Sequence, residues 1–111
     1  MQNEPAPSPS IGRPPRREAT VALLKRHEAE LRRLGVLHLY LFGSTARDEA
    51  GAASDVDLFF DYERGRFGLY ELMDVRDFAT RLLGRNADVM TRDSLHPMVR
   101  SGIEAEAVRV F

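Results

Sequence analysis

Between Gly35 and Gly43 lies a seven-residue stretch, Val36-Leu37-His38-Leu39-Tyr40-Leu41-Phe42, that is almost wholly apolar. It is too short and too apolar for an exposed helix, and glycines bound it on both sides, so the spacing predicts a central strand. The strand ends on Gly43-Ser44, where free backbone N–H groups at the start of a helical turn offer a cradle for an anion. After ten intervening residues Ser44 is followed by Asp55-Val56-Asp57, opening a second apolar strand over 55–61. Strand side chains alternate between faces, so Asp55 and Asp57 project together while Val56, Leu58 and Phe60 turn into a core.

The rest of the chain supports one mixed sheet with helices, an α+β (α/β mixed sheet) domain over residues 14–111. Residues 1–13, rich in Pro and Ser, carry almost nothing to bury and are expected to form a disordered tail. Pro14 and Pro15 suit a helix start, and Val21, Leu23, Leu24, His27, Leu31 and Leu34 recur near helical spacing as far as Gly35. Ala46 to Ala50 is expected to continue the turn begun at Ser44, and Gly51-Ala52-Ala53-Ser54 to return the chain to the second strand. A second helix runs from Leu69 to Leu83 and closes at Gly84. Ala87 to Thr91 is a third strand carrying Asp88; Ser94 is expected to cap a last helix, with Pro97 in its first turn, before a terminal strand over 107–111.

Composition narrows the chemistry. A chain of 111 residues has room for one modest core and no second domain. Sixteen basic against seventeen acidic residues leave no global field that would attract nucleic acid or an anionic membrane, so any partner is recognised locally. The absence of cysteine removes thiolate catalysis and thiolate zinc sites. No apolar stretch reaches membrane-spanning length and no secretory signal opens the chain, which leads to the expectation of a cytoplasmic protein.

Three strand-borne acids beside an anion cradle suit nucleotidyl transfer. Attack on the α-phosphorus of a nucleoside triphosphate builds negative charge on both the entering and the leaving oxygen, and two magnesium ions can neutralise it. Magnesium keeps several waters, so Asp55, Asp57 and Asp88 are a sufficient carboxylate set, with Asp88 binding metal or taking the acceptor's proton. Gly43 and Ser44 would hold the triphosphate of ATP. Arg47 is a further candidate for a phosphate contact.

Gly43-Ser44-Thr45-Ala46-Arg47-Asp48-Glu49 followed by Ser54-Asp55-Val56-Asp57-Leu58 resembles the signature of the DNA polymerase β-like nucleotidyltransferase superfamily, and most of all its minimal nucleotidyltransferases. Asn86 to Thr91 and Ile103 to Val108 are similar to that group's third-acid strand and closing helix. The resemblance implies a mixed sheet with helices packed on one face, and Gly43, Ser44, Asp55, Asp57 and Asp88 in the functional positions. It further implies an antitoxin paired with a HEPN-domain ribonuclease toxin, transferring AMP from ATP to a tyrosine of that toxin. Two alternatives stand beside it: an antitoxin that neutralises by binding alone, and a transferase acting on a small molecule of the aminoglycoside kind. One position departs from the group, which usually has glycine where this chain has Asp48.

Other polar and aromatic residues have plainer readings. His27 and His38 are expected at the core boundary and His96 at the surface. Ser54 is expected to shape its loop, and Tyr40 to be buried. Phe59 shares the face of the acids, where it is expected to stay open to a base, a sugar or a partner surface.

Overall fold

The computed structural model describes residues 13–65 and 67–111, so the expected tail falls, Arg13 apart, outside the described residues. The order of elements is α1 (Arg17–Arg26), α2 (Glu28–Arg33), β1 (Val36–Phe42), α3 (Gly43–Ala46), β2 (Val56–Tyr62), α4 (Leu69–Leu83), β3 (Ala87–Thr91), a 3-10 turn (Arg92–Ser94), α5 (Pro97–Glu106) and β4 (Val108–Arg109). The strands lie in the order β3-β2-β1-β4, with β2 and β3 parallel and the other two pairings antiparallel. β1 is therefore interior, as its composition demands.

The alternation of β1 is broken once. Val36 pairs with Tyr62 and His38 with Asp61, so β1 carries one surplus residue at this end, a β-bulge around Leu37. The bulge explains why Val36, Leu39 and Leu41 all reach the same core although Val36 and Leu39 are three apart, while Leu37 is exposed. That core lies between the sheet and the helix layer: Leu24 of α1, Leu31 of α2, and Val75, Ala79 and Leu83 of α4 meet Val56, Leu58 and Phe60 of β2.

The single long helix expected up to Leu34 is two helices. They meet at His27, whose backbone (φ −108°, ψ 24°) leaves the helical region and whose N–H is donated to Leu24 O at 3.0 Å. Its ring sits edge-on to Phe78 of α4 at 6.0 Å and contacts the Glu30 carboxylate at 3.2 Å, so a contact between helices falls on the break. Helical spacing continues through such a joint, and periodicity alone does not register it.

The one-sided helix layer holds for α1, α2 and α4 but not for α5. A second, smaller cluster of Phe42, Phe59 and Leu95 lies on the other side of the sheet, covered by Ile103 of α5 and flanked by Tyr40 and Met90. Phe59 is completely buried there, stacked on Tyr40 with ring centroids 4.8 Å apart, which overturns the expectation that it stays open. The guanidinium of Arg92 closes this cluster, lying 4.8 Å from the Tyr40 ring centre and 5.0 Å from that of Phe59. It donates to both oxygens of Asp61, at 2.7 and 3.1 Å, and to Glu104 of α5 at 2.7 Å. These ties hold it firmly protonated.

α5 begins later than expected. Its cap is His96, whose Nδ1 accepts the N–H of Met98 at 3.0 Å, with Pro97 at the first position. Ser94 donates instead to Thr91 O at 2.8 Å and closes the 3-10 turn.

Candidate active site

β1 delivers the chain to the site and α3 turns it away at once. Gly43 has φ +75°, a conformation that favours glycine, and a Cβ at this position would fall 2.2 Å from Asp57 Oδ2. Glycine is thus fixed here twice, by the turn and by the carboxylate pressed against it. α3 lasts only to Ala46, because Asp48 takes φ +58° and ends it; the expected helical continuation through Ala50 does not form. Ser44 is half-buried behind Gly43, and its carbonyl accepts the N–H of Glu49 at 2.8 Å. The Thr45 hydroxyl is buried without a hydrogen-bond partner.

The acids assemble through sheet register. β2 and β3 run parallel with Asp57 directly beside Asp88, while Val56 and Ala87 form the neighbouring pair inside the core. Asp55 lies just before β2, exposed, and Asp88 is likewise exposed, whereas Asp57 is half-buried. The Asp57 carboxyl is pushed up to about 6, first by its burial and then by the charges of Asp88 and Asp55, with Glu106 adding to the effect and Arg47 opposing it. Both other predicted acids therefore act on Asp57. Among the described residues, however, no three acidic or imidazole side chains sit close enough to enclose one ion. Mutual repulsion of uncompensated carboxylates favours such spacing. Magnesium needs only one or two carboxylates together with water and phosphate oxygens, so Asp57 with either neighbour fits it as a partial ligand set.

Arg47 is exposed and engaged, donating to Glu49 Oε1 at 2.9 Å and to Glu106 Oε1 at 2.9 Å. These bonds, the one to Glu49 foremost, raise its pKa. Ser54 shapes the loop as expected, its hydroxyl accepting the N–H of Gly51 at 2.9 Å. Glu106 was not among the residues singled out by sequence. It ends α5, and its Oε2 accepts the N–H of Gly43 at 3.2 Å across 63 residues of chain. No local signal in the sequence announces a contact of that range.

The glycine turn at Gly43, interlocked with Asp57, and the in-register pair Asp57 and Asp88 are where the resemblance to the nucleotidyltransferases leads one to look. The chain belongs to the nucleotidyltransferase domain family, whose profile matches residues 24–110, and within it to the minimal nucleotidyltransferases. It is 33% identical over 94 residues to the protein adenylyltransferase MntA of Thermococcus cleftensis, covering 84% of this chain and 94% of that one. A Methanocaldococcus jannaschii protein, provisionally named a protein adenylyltransferase, is 35% identical over 77 residues, 69% of this chain and 82% of its own. A solved structure provisionally named a minimal nucleotidyltransferase superposes with a TM-score of 0.68 at 32% identity, over 83% of this chain and 89% of that chain. The antitoxin complexed with a tri-AMPylated HEPN toxin of Shewanella oneidensis shares the fold, with a TM-score of 0.60 at 14% identity over 82% of this chain and 71% of the matched one.

Proposed function

We propose that this chain is a magnesium-dependent protein adenylyltransferase that moves AMP from ATP to a tyrosine of a HEPN-domain ribonuclease and thereby acts as its antitoxin. The observation that carries the reading is the interlock of Gly43 with Asp57, which lies in register with Asp88. The named adenylyltransferase relatives, matched over most of their length, support the choice of a protein acceptor.

In this reading the Gly43 and Ser44 turn, with Arg47, holds the phosphates, Asp55 and Asp57 would supply the carboxylates of a partial magnesium ligand set, and Asp88 is left to act as base. Bound magnesium would neutralise the charge that develops on the entering and leaving oxygens. Asp88, exposed at the end of the acid row, takes the proton of the tyrosine hydroxyl. The hydroxyl oxygen then forms its bond to the α-phosphorus as the bond to the bridging β-phosphate oxygen breaks, and pyrophosphate leaves. Asp57, its carboxyl pushed to about 6, would hold its full charge beside a bound cation.

The test is incubation of the chain with its HEPN partner and ATP labelled at the α-phosphate. Label is expected on a partner tyrosine with the unaltered chain and not with Asp57→Asn. Protection of cells from the toxin by Asp57→Asn, with no AMP on the partner, would replace this account with neutralisation by binding alone.

A further inference from the structure

The Glu106 carboxylate bridges two donors. Oε2 accepts the Gly43 N–H at 3.2 Å and Oε1 accepts the Arg47 guanidinium at 2.9 Å. Glu106 is brought there by α5, which Arg92 grips two residues earlier through Glu104 at 2.7 Å, while Arg100 of the same helix braces Glu104 at 3.4 Å. The contact therefore comes from the tertiary fold and not from chance proximity along the chain.

The Gly43 amide and Arg47 are the same donors that the proposed nucleotide site would present to phosphate oxygens, and the inference rests on that reading. A carboxylate oxygen and a phosphate oxygen are both anionic acceptors, and one N–H cannot serve both at full strength. The position of Glu106 is also electrostatically awkward, since its charge adds to that of Asp55 and Asp88 around Asp57. A residue placed only to pack the end of α5 would not need a charge beside three other acids.

We propose that Glu106 is an internal stand-in for a phosphate group: it occupies the Gly43 amide and Arg47 in the nucleotide-free chain, and the triphosphate must displace it to bind. Glu106 thereby keeps the donors arranged for an anion and sets the affinity at which a nucleotide enters. Displacement also loosens the junction between α5 and β4, a two-residue strand that pairs Arg109 with Tyr40 and Val108 with Leu41 and is followed by the backbone bonds of Val110 and Phe111 to Leu39.

The test is calorimetric titration of the full chain with a non-transferable ATP analogue and, separately, with inorganic tripolyphosphate, each with magnesium. Glu106→Gln and Glu106→Ala are compared with the unaltered chain, and Asp57→Asn serves as a control for the site. Both Glu106 variants are expected to bind both ligands more tightly, on the order of fivefold or more, with Ala at least as strong as Gln. The Gly43 amide resonance should shift when Glu106 is replaced and again when ligand is added to the unaltered chain. If the Gln variant keeps the melting temperature of the unaltered chain but binds equally or more weakly, while Asp57→Asn loses binding, Glu106 is a structural tie; the proposal falls and the nucleotide site stands. If neither the unaltered chain nor any variant binds either ligand, both fall.

Discussion

The Asp48 carboxylate accepts the backbone N–H of Arg17, the first residue of α1, at 2.8 Å. A residue 31 positions away thus satisfies one of the amides that α1 cannot satisfy for itself, beside a weak ion pair with the Arg17 side chain at 3.9 Å. Asp48 stands where the resemblance to the minimal nucleotidyltransferases leads one to expect glycine, and it manages the left-handed backbone because aspartate tolerates it better than most side chains. Its carboxylate is engaged with α1, so the departure from the family pattern has a structural use.

Two substitutions separate these roles. Asp48→Ala loses the cap and keeps the strained φ, and should destabilise by about 1–2 kcal/mol. Asp48→Gly loses the cap but relieves the backbone, and should remain within about 0.5 kcal/mol of the parent. Chemical denaturation of the two variants checks the ordering.

Gly43→Ala should destabilise by roughly 1–3 kcal/mol and abolish transfer, because the added methyl meets the Asp57 carboxylate on a backbone that disfavours it. Asp57→Ala in the same chain removes the collision. The double variant should therefore be more stable than the sum of the two single effects, a coupling that a double-mutant cycle measures directly.

Asp57→Asn should stabilise the metal-free protein above neutral pH. The folded carboxyl sits at about 6, against an ordinary value of 3.8, so ionisation works against the fold. The stability this group contributes is complete below the unfolded value and is lost as pH rises through the folded one. The gain from Asn should be on the order of 1–3 kcal/mol at pH 8 and vanish toward pH 4, as read from melting temperatures across that range. Added magnesium and nucleotide should stabilise the parent chain and not the variant.

Arg92 should be the most sensitive polar position outside the acid row. Replacing it with Met leaves Asp61 and Glu104 without their shared partner and should cost about 2–4 kcal/mol. Arg92→Lys keeps the charge but cannot span both carboxylates while covering Tyr40 and Phe59, and should recover no more than half of that loss. Equilibrium unfolding in urea distinguishes the two.

The strands, the acid row and the glycine turn were legible because each is written in contiguous residues: β1 between two glycines, Asp55 and Asp57 by alternation, and Asp88 between Ala87 and Val89, which are buried in the structure. What sequence missed is long-range. Phe59 follows the alternation correctly onto the face of the acids, but nothing local says that α5 folds back over it. The break at His27 depends on Phe78, far along the chain, and the role of Glu106 on a contact with Gly43. Pattern reading gives the faces of a strand, and tertiary packing decides which of them stays wet.

The surplus residue near the start of β1 has a further implication for how this scaffold tolerates change in length. Removing Leu37 would restore unbroken alternation, leaving Val36, Leu39 and Leu41 pointing where they already point, at the loss of the carbonyl that accepts Arg32 at 2.8 Å. A deletion nearer Phe42 has no such slack: it would invert the remaining side chains or drag the Gly43 turn back along the sheet. The irregular end of the strand serves as a mechanical buffer, protecting the position of Gly43 from changes upstream.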